Sequence, residues 1–211
     1  MKKFELTNEF ITNMFGTKLF RIRALVEFGD VEAGELGGYV EKESNLGHDD
    51  NAWVYDNAWV YGNARVYGDA QVSGDARVYD NAWVYGDAQV SGDARVYGNA
   101  RVYGNAWVYG NAWVYGNAWV YGNALVCSDE GYAYAHGFGS VNRTTTFFRL
   151  KDGGVGVRCG CFYGTLAQFR DKIRETHGET KKAQEYLMLA DLMELRFEED
   201  ENEVGNRKYV E

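Results

Sequence analysis

Residues 51–80 read NAWVYDNAWVYGNARVYGDAQVSGDARVYD, which is five copies of a six-residue phrase that continues in register to Cys127. An alanine stands two residues before each valine of the phrase, from Ala52 to Ala124. The valines mark every sixth position: Val54, Val60, Val66, Val72, Val78, Val84, Val90, Val96, Val102, Val108, Val114, Val120 and Val126. A repeat this regular predicts a solenoid, in which each unit stacks on its neighbours.

Each phrase predicts one short strand followed by a corner. Residues two apart in a strand share a face, so alanine and valine lie on one side and their neighbours on the other. A Gly-Asn or Gly-Asp pair then ends the strand with residues that tolerate a left-handed backbone. We therefore expect an interior of alanine and valine, and an exterior of tryptophan, tyrosine and arginine.

The size of one coil follows from a longer repeat. The nonamer QVSGDARVY occurs at residues 71–79 and again at 89–97, which is an offset of three phrases. A three-sided coil would place these copies directly above one another. With about 4.8 Å between layers, the repeat would form a prism about 20 Å tall.

The phrase also fits the motif aliphatic–x–x–x–small–x, as in VYDNAW at residues 54–59. In this it resembles the left-handed β-helix of the hexapeptide-repeat proteins, which implies a mainly β fold, a left hand and three-fold self-association. The opening of the chain resembles uncharacterised bacterial and phage members of this family, some of which are labelled transferases. A fold of this kind hosts many activities, so the resemblance does not fix a function.

We divide the chain into an N-terminal β cap with an irregular first coil (1–47), a hexapeptide-repeat β-helix (48–128) and a small α+β module (129–211). Residues 18–28 predict a strand with alternate apolar residues, among them Ile22 and Ala24. Val40 and Leu46 already fit the six-residue frame, provided that the frame slips by two residues near 49–50. An exposed end layer of a solenoid requires such a cap.

The module after residue 128 predicts an antiparallel pair of strands, 144–150 and 155–162, followed by two helices. Thr165 and Gln168 have the spacing of a capping box at the start of the first helix. The second helix is predicted over 180–197, and an acidic tail follows at 198–203. Leu187, Ala190, Met193 and Phe197 have helical spacing and predict its buried face.

Composition excludes several classes of function. The net charge of −9 argues against general binding to nucleic-acid backbones. No apolar run reaches membrane-spanning length, and residues 1–10 lack the apolar region of a secretory signal. Three cysteines, with Cys159 and Cys161 one residue apart, favour reduced thiols and a cytoplasmic location, and we expect no metal or cofactor.

Large aromatic side chains on the outside predict an interface, because monomers rarely leave wide apolar patches in water. We expect a homo-oligomer, with the trimer favoured by the family resemblance. Stiffening of the sheets by stacked side chains and a sugar-binding aromatic face remain alternatives. The predicted interface residues are Trp59, Trp83, Trp107, Trp113, Trp119, Tyr115 and Tyr121.

The segment HGFGSVNRTTTFFR at residues 136–149 predicts a site for a small anion, since hydroxyl, amide and guanidinium donors lie beside glycines. A hydroxyl-rich edge strand is the alternative. The resemblance to phage proteins implies a role in counter-defence. The ligand would then be a nucleotide that the host uses in its defence, or the partner would be a host protein. The predicted ligand-binding residues are Ser140, Asn142, Arg143, Thr145 and Arg149.

Evidence for catalysis is thin, because none of the six-residue phrases contains a histidine. Hexapeptide acyltransferases use a histidine base and an acyl-CoA, and His136, in a glycine-rich stretch that we expect to be a flexible loop, is the alternative candidate for that base. The uniform repeat leaves no position distinguished for chemistry. The sequence therefore predicts a non-enzymatic, self-associating β-helix scaffold whose C-terminal module binds a small anion or a protein.

Overall fold

A computed structural model describes residues 2–139 and 142–198. The chain begins with the strands β1 (Phe4–Thr12), β2 (Lys18–Ala24) and β3 (Leu36–Val40), which pair in that order and antiparallel. The predicted strand at 18–28 therefore ends at Ala24, and β1 was not predicted. Ile22 and Ala24 are buried, as the alternation indicated.

Between residues 53 and 126 the repeat forms thirteen strands of two or three residues. In chain order, these are β4 (Trp53–Val54), β5 (Trp59–Val60), β6 (Arg65–Val66), β7 (Gln71–Val72), β8 (Arg77–Val78), β9 (Trp83–Tyr85), β10 (Gln89–Val90), β11 (Arg95–Val96), β12 (Arg101–Tyr103), β13 (Trp107–Val108), β14 (Trp113–Val114), β15 (Trp119–Tyr121) and β16 (Leu125–Val126).

Each strand from β4 to β13 pairs in parallel with the strand three places later in the chain. Over residues 53–126 the pairs form three ladders: β4-β7-β10-β13-β16, β5-β8-β11-β14 and β6-β9-β12-β15. Partners are 18 residues apart, as in Val54 beside Val72. The longest ladder has five strands, so the repeat is a β-solenoid of about five turns.

The interior of the solenoid is the predicted one. Every alanine and valine of the repeat, from Ala52 to Val126, is fully buried. The backbone N–H of Trp59 donates to the carbonyl of Ala76 at 2.9 Å, and the same bond recurs from coil to coil. Small aliphatic side chains fill this narrow space, and the stacked backbone satisfies its own polar groups.

The irregular first coil is also confirmed. Val40 of β3 pairs beside Val60, and Leu46 bridges to Val66. The step between these partners is 20 residues instead of 18 (60 minus 40, and 66 minus 46), which is the predicted slip of two.

Beyond the repeat lies a four-stranded antiparallel sheet of β17 (Tyr132–Phe138), β18 (Arg143–Arg149), β19 (Val155–Cys159) and β20 (Phe162–Thr165). The predicted strand at 155–162 is thus two strands, separated by a tight turn at Gly160, where φ is +59°. A side chain would be strained at this φ, which explains why the chain reverses at a glycine.

The helices α1 (Leu166–His177) and α2 (Lys181–Phe197) follow this sheet. The capping box is confirmed, since the Gln168 N–H donates to Thr165 Oγ1 at 3.3 Å and the Thr165 N–H donates to Gln168 Oε1 at 2.9 Å. Ala190, Met193 and Phe197 are buried as predicted, whereas Leu187 is half-buried. Most of the predicted acidic tail lies outside the described residues, and the division into three domains stays a prediction.

Successive residues of β18 face different neighbours. Phe148 is part of the core that continues from the solenoid, and Phe147 is part of a second core shared with the two helices. Because side chains alternate along a strand, the even-numbered residues of β18 lie on the solenoid side and the odd-numbered ones on the helix side. This sheet therefore closes the last coil and carries the helices on its other face.

Candidate functional site

Tyrosines stack in columns on the outside of the solenoid. Tyr61, Tyr79, Tyr97 and Tyr115 form one column, with centroids 5.0, 4.9 and 5.3 Å apart and planes within 15° of parallel. Burial raises the pKa of Tyr79 to about 12. Because each inner ring covers the faces of its neighbours, the column exposes ring edges and hydroxyls. It therefore lacks the open ring faces that a sugar-binding surface uses.

The second column is closed by the chain itself. Tyr67, Tyr85, Tyr103 and Tyr121 stack at 5.0, 4.7 and 4.3 Å, and Tyr163 of β20 meets Tyr121 edge-on at 4.6 Å. Burial raises the pKa of Tyr85 to about 12. Tyr121, a predicted interface residue, is thus held by the C-terminal sheet.

Arginine and tryptophan alternate beside this second column. Arg65, Trp83, Arg101 and Trp119 follow one another up the ladder, and Arg158 of β19 continues the series. Successive guanidinium-to-ring distances are 5.8, 5.0, 4.8 and 5.5 Å. Such cation–π contacts stabilise the stack from within the chain. Trp83 and Trp119 are therefore occupied by intramolecular contacts.

The ladder of β5, β8, β11 and β14 has the order Trp59, Arg77, Arg95, Trp113. Arg77 lies over Trp59 at 4.3 Å and Arg95 lies over Trp113 at 4.6 Å. Two separate cation–π pairs result, because Arg77 and Arg95, which carry the same charge, lie beside each other in the middle of this ladder. The order of residue types thus decides whether a continuous stack forms.

The most exposed tryptophans and tyrosines of the described solenoid lie on the last coil, and we call these four residues the last-coil patch: Trp107 and Tyr109 on the β13 ladder, and Trp113 and Tyr115 on the β14 ladder. These side chains are 41, 36, 39 and 41% exposed, on β13, β14 and the residues that follow them. Over the described part of the solenoid, no other tryptophan or tyrosine is as exposed. Lys151 lies over the Trp107 ring at 3.9 Å and marks one border of the patch.

Trp53 shows how the other end differs. It occupies the same position of the phrase as Trp107, yet it is fully buried, because Phe4 and Phe28 of the N-terminal cap meet its ring edge-on. The C-terminal sheet closes the last coil but leaves these outward side chains partly exposed, whereas the N-terminal cap covers Trp53 completely.

A cleft of about 250 Å³ adjoins the last-coil patch. Asp129 Oδ1 accepts the Trp113 N–H at 2.7 Å, and the Tyr132 hydroxyl accepts the Tyr115 N–H at 3.4 Å. Arg196 and Asp129 contribute one charge of each sign to the lining of the cleft. The cleft is lined by Tyr115, Asp129, Tyr132, Ala133, Tyr134 and Arg196.

The residues predicted to bind an anion do not converge. Arg143 and Arg149 lie at opposite ends of β18, six residues apart, which separates them by about 20 Å. Asn142 is exposed in the turn before the strand, and Ser140 lies outside the described residues.

Two of these side chains have intramolecular contacts on the helix side of the sheet. Thr145 is fully buried, and its hydroxyl donates to Cys159 Sγ at 3.1 Å. Arg149 lies over the Phe197 ring at 5.5 Å. The Thr145 hydroxyl is therefore turned into the module, away from any ligand in solution, because its strand is covered on both faces.

His136 lies in a strand, which corrects the expectation of a flexible loop. It pairs with Thr144 across β17 and β18, and its Nδ1 lies 2.9 Å from Thr144 Oγ1. A catalytic histidine is usually oriented by a carboxylate, whereas this ring contacts a hydroxyl.

Residues 2–139 and 142–198 contain no group of three or more metal-binding side chains. Within the same residues, no helix combines the length and apolar character needed to cross a bilayer.

A comparison with known protein families finds a match for the repeat. Six overlapping stretches match the YdcK β-solenoid repeat: residues 58–70, 70–86, 88–104, 94–110, 100–116 and 106–122. The chain is therefore similar to β-solenoid repeat proteins over this region, in agreement with its fold. No curated protein matches the chain.

Proposed function

We propose that this protein is a non-enzymatic scaffold that self-associates through the last-coil patch. The observation that carries the proposal is the exposure of Trp107, Tyr109, Trp113 and Tyr115 together on one coil, between 36 and 41% each. Exposed aromatic side chains are the usual anchors of protein interfaces, and these four lie on two ladders of the same coil. Of the predicted interface residues, Trp107, Trp113 and Tyr115 belong to this patch.

We further propose that the solenoid is three-sided and left-handed. The 18-residue step between partners supports three strands per coil. The left hand, and an assembly of three subunits, rest on the resemblance to hexapeptide-repeat proteins.

The test is the mass of the native particle. Light scattering and native mass spectrometry should give a multiple of the 23.9 kDa chain, and Trp113→Ser combined with Tyr115→Ser should shift it toward the monomer. The matched control is Phe15→Ser, because Phe15 is 79% exposed at the tip of the β1–β2 hairpin. A wild-type monomer at micromolar concentration would refute self-association.

A second proposal concerns a small anionic ligand, a nucleotide in particular, in the cleft beside the patch. Arg196 and the surrounding tyrosines favour it, because a guanidinium next to aromatic rings binds phosphates and bases. Titration with inorganic phosphate and adenosine monophosphate, followed by tryptophan fluorescence, should show binding that Arg196→Gln weakens. Arg143→Gln is the control, and equal loss in both variants would place the anion elsewhere.

The acyltransferase alternative has its own test. Binding of acyl-CoA that disappears in His136→Ala would support the enzyme and contradict a purely structural scaffold.

A further inference from the structure

Helix α2 is apolar on two opposite faces. Its inner face is buried against α1 and the C-terminal sheet. On the opposite side, Met188, Leu192 and Leu195 are 71, 53 and 68% exposed, and we call these three residues the outer stripe of α2. They are spaced four and three residues apart, so they form one continuous line along the helix.

A surface helix normally carries polar residues opposite its buried face. The outer stripe breaks that pattern with three large aliphatic side chains on the solvent side. We propose that the outer stripe binds the same stripe of a second copy of this chain, with the two α2 helices antiparallel. This inference rests on the proposed self-association and adds a separate two-fold contact to it, because an antiparallel pair of identical helices cannot be the contact within a three-fold ring.

The charges of α2 argue for the antiparallel arrangement. Lys181 and Lys182 occupy its first turn, and Glu198 ends it, with four more acidic residues in the sequence at 199–203. In a parallel pair the lysines of the two copies would lie together. In an antiparallel pair, the basic end of each helix lies beside the acidic end of the other.

The same charges are unfavourable within one helix. Lys181 and Lys182 at the N-terminus and Glu198 at the C-terminus oppose the helix dipole, whereas Arg196 in the last turn complements it. Arg170 of α1 already pairs with Asp191 at 2.8 Å and with Glu194 at 2.7 Å, which leaves Glu198 without an ion pair among the described residues. An antiparallel second helix places its first turn, with Lys181 and Lys182, at the end of α2 that carries Glu198.

The register follows from the length of the outer stripe. Maximal overlap of two antiparallel stripes places Leu192 near Leu192 of the second copy, and Met188 near Leu195. A seam with spacing of four and three is the packing of a short coiled coil. Three side chains per copy bury less than a standard interface of about 1,600 Å², so this pair should dissociate on dilution.

Sedimentation equilibrium of the full chain tests the contact. Leu192→Glu should weaken self-association by at least about tenfold, because it removes the burial of a leucine and introduces a charge into the seam. Met14→Glu is the matched control, since Met14 is 87% exposed at the hairpin tip and should change nothing.

Cysteine cross-linking tests the direction, in a background with Cys127→Ser and Cys161→Ser. Leu192→Cys should form a disulfide-linked dimer. Met188→Cys alone should not, whereas a mixture of Met188→Cys and Leu195→Cys chains should form the mixed dimer. Equal cross-linking of each variant with itself would indicate parallel helices and overturn the proposal.

The two proposals fail in different ways. A monomeric wild type overturns both. Self-association that Trp113→Ser with Tyr115→Ser abolishes and Leu192→Glu leaves unchanged overturns the helix contact alone.

Discussion

The two ends of the solenoid are closed by opposite chemistry. At the N-terminal end, side-chain donors reach the carbonyls of the first regular coils: Lys3 Nζ donates to the Asp50 and Ala52 carbonyls at 2.6 and 2.8 Å, and Asn45 Nδ2 to those of Gly62 and Ala64 at 3.2 and 2.8 Å. At the C-terminal end, side-chain oxygens of Asp129, Tyr132 and Thr146 accept backbone N–H groups of the last coil.

The reason is the polarity of a parallel stack. Each coil donates its N–H groups to the carbonyls of the coil that follows, so the first coil has carbonyls without partners and the last coil has N–H groups without partners. Buried backbone groups of either kind must find a partner. The N-terminal cap must therefore supply donors and the C-terminal module acceptors, and exchanging the two would satisfy neither.

The largest effect should come from Asn45→Leu at the N-terminal end. Asn45 is fully buried, and besides its two donated bonds its Oδ1 accepts the Lys42 N–H at 3.0 Å. Losing all three bonds at a buried site should lower the free energy of unfolding by roughly 3–5 kcal/mol. Urea unfolding measures this. Asn81→Leu, in the exposed amide series of Asn63, Asn81, Asn99 and Asn117, is the control and should cost under about 1 kcal/mol.

Lys3→Met comes next in size. It removes the ammonium that donates to the Asp50 and Ala52 carbonyls. An apolar side chain remains over the Phe28 ring, whose centroid lies 4.5 Å from the Lys3 ammonium. We expect a loss of roughly 2–3 kcal/mol in the free energy of unfolding. Lys2→Met should be nearly neutral, because Lys2 is exposed and pairs with Glu43 at the surface. Equal losses in both variants would show that charge, and not end closure, is responsible.

Thr146→Val tests the C-terminal end. The variant keeps the shape of the side chain but leaves the Trp119 N–H, which now donates to Thr146 Oγ1 at 2.9 Å, without an acceptor. We expect a loss of about 1–2 kcal/mol, smaller than at Asn45 because a single bond is involved. Thr144→Val, two residues away on the same face of β18, provides the comparison, and a loss as large as that of Thr146→Val would argue against end closure.

The smallest effect is expected in the middle of the solenoid, where alkaline pH should lower the free energy of unfolding. Burial raises the pKa of Tyr79 and of Tyr85 to about 12, above the ordinary value of 10. A raised pKa in the folded state means that the stability present below pH 10 is lost as pH rises toward 12. Absorbance at 295 nm should show these tyrosines ionising about two pH units late, together with a falling urea midpoint. Ionisation of every tyrosine near pH 10 in the folded protein would contradict the stacked columns.

The regular part of the fold could be predicted because its signal is local. The period of six fixes which side chains face inward, and the slip before Val54 follows from the positions of Val40 and Leu46. The strand β1 has no such period: its register with β2 is interrupted between Leu6 and Phe10, so alternation does not mark it.

The sequence alone could not show which side chains are buried by parts of the chain that are distant in sequence. Trp53 and Trp107 hold equivalent positions in the repeat, and only the cap residues Phe4 and Phe28 make the first a buried side chain. Thr145 looks like a surface hydroxyl in sequence, but helices cover its face of the sheet. The outer stripe of α2 has the same kind of helical spacing as the buried face, so the spacing alone does not show which face is buried.

Because the step between partners is strictly 18 residues, a whole coil could be removed without changing the contacts at either end of the solenoid. Removing residues 71–88 would join Ala70 to Gln89, and Gln89 would take the place of Gln71 beside Trp53 without changing the partners of either cap. The length of the solenoid can thus change by whole layers of about 4.8 Å, while the structures that close its two ends keep the same contacts.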